Sequence, residues 1–299
     1  MYDYRKYRQT LEENLGNGYA EYMTLSERNS IFRAGMILSS LCLLMCIAAS
    51  VKVFPVYDLM EADIIRNSGG IFQAMARNFL SVKLMAVHCC IAVLVLYSFF
   101  SIIFIYRSFE KTQSPEILFV VFFAASFSLE VMRLVLPLVR IYNIPSMYLL
   151  MSSRIILFCR YFGIFSLFSA SIYAVGFVVQ KQRNVIGIVM VTSLVIALGI
   201  PIDTQIWDSG LNMISGYTSM FRLIEIGIFF FTTISFFIAA WSRSSREFIF
   251  IGIGSVLVSL GRNILLSADT WAGPLAGLLF LAAGTWFICT NLHKIYLWL

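Results

Sequence analysis

The stretch FSLEVMRLVLPLVRIYNIP, residues 127–145, is apolar enough to lie in a membrane, yet it carries Glu130, Arg133 and Arg140. A charged side chain at the bilayer centre costs roughly 2.5–3.5 kcal/mol on insertion scales, so such residues face a bundle interior or a cavity and find partners there. At the α-helical 100° per residue, Glu130, Arg133, Pro137 and Arg140 fall within about a quarter-turn of one another. A single charged stripe on an apolar helix predicts membrane helices packed around a polar interior.

The rest of the chain agrees. Of its 299 residues, 60% are hydrophobic and only 13% charged, about half the charged share of a soluble domain. Mean hydropathy is +0.84. The apolar residues fall in long continuous blocks, which fits spanning helices and excludes the alternating pattern of a barrel. Eight blocks are present, at 31–54, 82–106, 117–139, 147–180, 185–202, 217–241, 248–266 and 274–292. The expected fold is all-α: residues 31–299 form a single eight-helix transmembrane domain behind a polar or interfacial cytoplasmic segment, residues 1–30. An outer cap at about 55–80 is expected to hold short amphipathic helices broken at Gly69 and Gly70.

Loop charge orients the bundle. The loops RSFEKTQSPE, KQRN and SRSSRE each carry two basic residues, and the C-terminal tail adds Lys294. The alternate segments hold only Arg66 and Arg77. By the positive-inside rule both ends are expected in the cytoplasm. The N-terminal segment lacks the short apolar core of a signal peptide. A bacterial-type inner (cytoplasmic) membrane is the expected location.

Several functions are disfavoured. The net charge is +6, but no basic stripe with interleaved aromatics is present, so no nucleic-acid partner is expected. All six cysteines lie in apolar blocks with no disulfide or zinc spacing. His88 sits beside Cys89 on one helix, where adjacent residues point apart. No HExxH, GxSxG or phosphate-loop motif occurs. No metal, no cofactor and no catalytic residue is expected. The GPLAG stretch at 273–277 points to close helix packing rather than chemistry.

What remains is a set of intramembrane charges: Glu130, Arg133, Arg154, Arg160, Arg222, Glu225 and Arg262. At about 1.5 Å rise per residue, Arg133, Arg154, Arg222 and Arg262 lie at a shared depth, with Glu130 and Glu225 one turn deeper. Ser255, Ser259 and Arg262 make a second stripe, and Tyr161 shares a face with Arg154. Five arginines against two glutamates leave three positive charges over. Guanidinium matches phosphate and carboxylate bidentately. An outward-opening cavity for an anionic group is therefore expected, lined by the five arginines with Glu130 and Glu225 as charge partners. His88, Tyr161, Ser259 and Asn263 are accessory candidates. The ligand would be a lipid head group, a carboxylate or a small anion, and the protein a receptor, sensor or lipid-handling component with membrane lipid around it. Two alternatives stand beside this: an anion transporter with Glu130 or Glu225 as proton carrier, and a scaffold for membrane protein partners. On a purely structural view, Glu130–Arg133 and Arg222–Glu225 are i,i+3 pairs that neutralise each other.

Overall fold

The computed structural model describes residues 23–54, 84–112, 114–176, 182–267 and 270–297. Among these, eight helical segments are long and apolar enough to cross a membrane. The expected cap at 55–80 and most of the N-terminal segment lie outside the described residues.

Helix α1 spans Leu25–Val53 and starts earlier than its apolar block because of a capping box. The Thr24 side chain accepts from the Glu27 amide, and the Glu27 side chain accepts from the Thr24 amide, satisfying two orphan donors at once. Helix α2 spans Leu84–Phe109. Its last carbonyls, at Phe109 and Glu110, accept from Arg28 of α1 at 2.7 and 3.1 Å. Arg28 is buried and also lies over the Phe32 ring. A cation is a favourable cap there, because a helix C-terminus carries unpaired carbonyls and partial negative charge.

The third span departs from the expected helix. Helix α3, Pro115–Ser126, opens with Ser114 as N-cap and proline in its first turn. The chain then tightens into a 3-10 helix, Phe127–Leu134, before α4, Val135–Tyr142. Pro137 explains the position of the break. Proline has no amide to donate and its ring clashes with the carbonyl four residues back, so it is tolerated only in a first turn, here that of α4. Two upstream hydroxyls, Ser126 and Ser128, also bond back to Phe123 and Ala125 carbonyls. Consequently the 100° wheel used above does not hold over 127–134. With 3.0 residues per turn, Glu130 and Arg133 eclipse each other. The side chain of Arg140 lies outside the described residues.

Five further helices follow: α5 (Met147–Val175), α6 (Gln182–Gly199), α7 (Thr218–Ser242), α8 (Glu247–Ser267) and α9 (Ala272–Leu297). Left-handed Gly176 ends α5, so the fourth span is shorter than its apolar block. The third span is the most enclosed and α1 and α6 the least. The 3-10 segment lies between α1, α2 and α5; α5 carries α6 and α7 on its flanks. Exposed Leu, Ile and Phe cover the outer faces of α1, α6 and α7, such as Leu44, Val195 and Phe230. That is a surface suited to hydrocarbon rather than water.

The described chain is nearly all helical, as expected, and the α6–α7 connection adds a feature not anticipated, a short hairpin. Strand β1 (Ile202–Trp207) pairs antiparallel with β2 (Met213–Ser215), with an irregularity between Asp203 and Trp207. Its tight end, DSGLN at 208–212, is held by the Asp208 side chain accepting from the Asn212 amide at 2.8 Å. Leu211 is buried against Leu134, Val139 and Leu149 despite its positive φ of 58°. A branched residue rarely adopts that conformation without surrounding structure to hold it. The hairpin is thus packed into the bundle end, not merely laid over it. At the other end, Glu27 pairs with Arg183 at 2.7 Å and Tyr296 donates to Glu116 at 2.6 Å, gathering the basic loops there.

Candidate functional site

Beneath the hairpin three arginines and two glutamates meet. Glu130 on the 3-10 segment is 2% exposed. Its two oxygens accept from Arg160 of α5, Oε1 from Nε at 2.7 Å and Oε2 from Nη2 at 2.8 Å. This is the side-on bidentate pair that gives the strongest charge-assisted contact. Arg133 Nη1 lies 3.7 Å from the same carboxylate. Glu225 of α7 instead faces Arg262 of α8, at 3.4 Å. The i,i+3 pair Glu130–Arg133 is thus present but is the longer of the two contacts on Glu130, whereas Glu225 pairs with Arg262 across helices and not with Arg222. A carboxylate in a low-dielectric interior gains most from the best-aligned fork, and that fork comes from a neighbouring helix.

The hairpin completes the site. Arg133 Nη2 donates to the carbonyl of Gly210 in the hairpin turn and, at 3.3 Å, to that of Leu266 at the end of α8. Arg160 Nη2 also donates to Asn212 Oδ1 at 2.8 Å. Asn212 in turn leans on Asp208, whose carboxylate acts electrostatically on both Arg133 and Arg160. A Cβ at 210 would sit 2.9 Å from both Arg133 Nη2 and Asn212 Nδ2, so a larger residue there would displace the ends of those two side chains. Asp208, Gly210 and Asn212 were not singled out by sequence. The Asp-Ser-Gly turn signal was present, but its position over the arginines is non-local.

The charges now balance. Arg133, Arg160 and Arg262 stand against the paired Glu130 and Glu225, and exposed Asp208 adds its charge at longer range without an ion pair, so the expected surplus of three positive charges does not arise in the cluster. The hydrogen bonds do not balance. Arg133 and Arg262 are 2% and 1% exposed, and Arg133 Nε, Arg133 Nη1 and Arg262 Nη2 have no hydrogen-bond acceptor. Buried donors without partners are uncommon and costly. Phe229 offers its ring face to Arg262 at 5.4 Å, a partial compensation.

The remaining candidates divide. Tyr161 is buried beside the cluster, in the field of Glu225, Arg262 and Arg160, with its ring against Phe221. Asn263 orients Arg262 by accepting from Nη1 at 3.3 Å. Ser259 spends its hydroxyl on the Ser255 carbonyl of its own helix. His88 joins α2 to α1 instead, bonding Ser50 Oγ at 2.7 Å and packing on Phe54. Arg154 turns away toward α6, where it donates to the terminal carbonyls of Ala197 and Ile200. Arg222 is exposed on the lipid-facing side of α7 and makes no ion pair among the described residues. It sits about one turn from the helix start, within snorkelling reach of the interface. The four-arginine layer thus separates into a cluster and two independent residues. Arg222→Gln is expected to leave stability within about 0.5 kcal/mol of the parent, measured as the thermal midpoint in detergent. No group of three or more His, Cys, Asp and Glu that could hold a metal occurs among the described residues.

Compared with known proteins, the chain matches no protein-family model and no curated relative.

Proposed function

We propose that this integral membrane protein is a receptor for an anionic ligand, and that the hairpin occupies the ligand site until the ligand replaces it. The observation that carries this reading is the set of guanidinium donors on fully buried Arg133 and Arg262 that have no acceptor, Arg133 being the one that reaches the hairpin. In the closed arrangement Gly210 and Asn212 supply neutral acceptors and Asp208 supplies the balancing charge. A phosphate or carboxylate offers several strong acceptor sites at once and satisfies donors that the hairpin leaves idle. It also restores the negative charge that leaves with Asp208. With the basic loops in the cytoplasm, the hairpin faces outward, in a bacterial-type inner membrane. Glu130 is a poor proton carrier, since both its oxygens are held by Arg160; this favours a receptor over a proton-coupled transporter.

The test is native mass spectrometry of the gently solubilised protein. The parent is expected to carry an anionic adduct that Arg133→Gln/Arg262→Gln loses. Asp208→Asn weakens the hairpin's hold and is expected to raise adduct occupancy. A bare mass for the parent and for Asp208→Asn, with both folded, would mean the cluster is structural and would favour the scaffold reading.

A further inference from the structure

A lipid-facing feature lies apart from the buried cluster. Helix α6 packs mainly on α5, and between them runs a cleft of about 420 Å³. Its walls are Ile155 and Phe158 from α5 and Val191, Leu194 and Leu198 from α6. The α6 residues are half to mostly exposed, so the cleft opens sideways toward the surrounding hydrocarbon. The polar side chain in its lining is Arg154, near the hairpin end.

The bonding of Arg154 leaves one edge unused. Nη1 takes both carbonyls, of Ala197 and Ile200, which are among the unpaired carbonyls that close α6. Nε and Nη2 donate to no described protein atom, and no described carboxylate pairs with Arg154. That Nε–Nη2 edge is the one that Arg160 presents to Glu130. At Arg154 it belongs to an uncompensated cation at the mouth of an apolar cleft, near the end of its span.

We infer that the α5–α6 cleft binds one anionic phospholipid, its acyl chain along Ile155, Phe158 and Leu194 and its head-group phosphate on the free edge of Arg154. The charge complement and the apolar walls specify opposite ends of the same molecule. An oxyanion takes two parallel N–H donors from such an edge, while the chain replaces lipid already in loose contact with α6. The inference does not depend on the ligand proposed for the hairpin site.

The experiment uses the full chain in nanodiscs of phosphatidylcholine containing a minority of phosphatidylglycerol, released into native mass spectrometry. The parent is expected to retain one phosphatidylglycerol. Arg154→Gln is expected to lower that occupancy by about tenfold to a hundredfold, the range for loss of a charge-assisted contact. Leu194→Trp fills the cleft from its exposed side and is expected to lower it comparably without disturbing the core. Arg133→Gln is expected to retain the lipid. Parent-like retention in Leu194→Trp or in a folded Arg154→Gln would overturn the proposal, as would equal retention of phosphatidylcholine or a loss confined to Arg133→Gln. If Arg154→Gln fails to fold, Leu194→Trp decides alone.

Discussion

Glu130→Gln is expected to destabilise the folded protein by about 3–5 kcal/mol, the usual cost of removing one partner of a buried ion pair. The carboxylate is the acceptor for the Arg160 fork and the near neighbour of Arg133. Without its charge, two guanidiniums remain in a low-dielectric layer with one fewer counter-ion. Arg160→Gln should cost a similar amount for the mirror reason. The double variant Glu130→Gln/Arg160→Gln should cost clearly less than the sum, because the amide pair can hydrogen-bond and only Arg133 is left with one fewer counter-ion. Unfolding in mixed detergent micelles measures all three. Glu225→Gln is the comparison: its side chain is 25% exposed and its contact with Arg262 is 3.4 Å, so a smaller loss than for Glu130→Gln is expected, set by how far buried Arg262 is left without a counter-ion. Additive single and double effects would show that Glu130 and Arg160 do not act as a pair.

Gly261→Leu and Gly284→Leu are expected to abolish the folded state. Among the described residues, helices α8 and α9 form the most extensive helix pair, and they meet backbone to backbone. A Cβ at Gly261 would lie 2.7 Å from the Leu281 nitrogen and 2.8 Å from the Gly277 carbonyl. At Gly284 it would lie 2.7 Å from the Gly254 carbonyl and 2.8 Å from the Val258 nitrogen. Backbone atoms cannot rotate away as a side chain can, so even alanine must push the helices apart, at about 1–3 kcal/mol. In lipid, where apolar burial does little to join helices, this close approach supplies much of the attraction. Gly187→Ala and Gly227→Ala are the controls, since a Cβ there meets nothing within 4 Å; both should fold normally. Yield and monodispersity on size exclusion separate the groups. A folded Gly261→Leu with parent-like stability would contradict the packing described.

The small-residue spacing in GPLAG points to close helix packing, without naming the partner helix. Gly277 does pack closely, against Leu265 of α8. Gly254, Gly261 and Gly284 were not anticipated, because glycines seven residues apart on a helix attract no notice until the facing helix is known. The inventory of site residues was legible in the same partial way. Arg133, Arg160, Arg262, Glu130 and Glu225 do converge, and Tyr161 joins them. Arg154 and Arg222 shared their depth but not their direction. Depth follows from counting along a helix; direction depends on how each helix is rotated in the bundle.

Hydrophobic length is a property of a continuous stretch of chain, and so the eight spans could be counted from residue order alone. Burial of charge was equally local: any arginine within such a span must find a partner or reach the interface. Partnership was not local. Glu130 lies three residues from Arg133 and thirty from Arg160, and the distant residue holds it, because packing brings the α5 fork into line while the 3-10 turn sets Arg133 beside rather than across the carboxylate. The hairpin shows the same division. Its turn residues were present in the sequence, but their place over Arg133 and Arg160 comes from α6 and α7 standing on either side of α5.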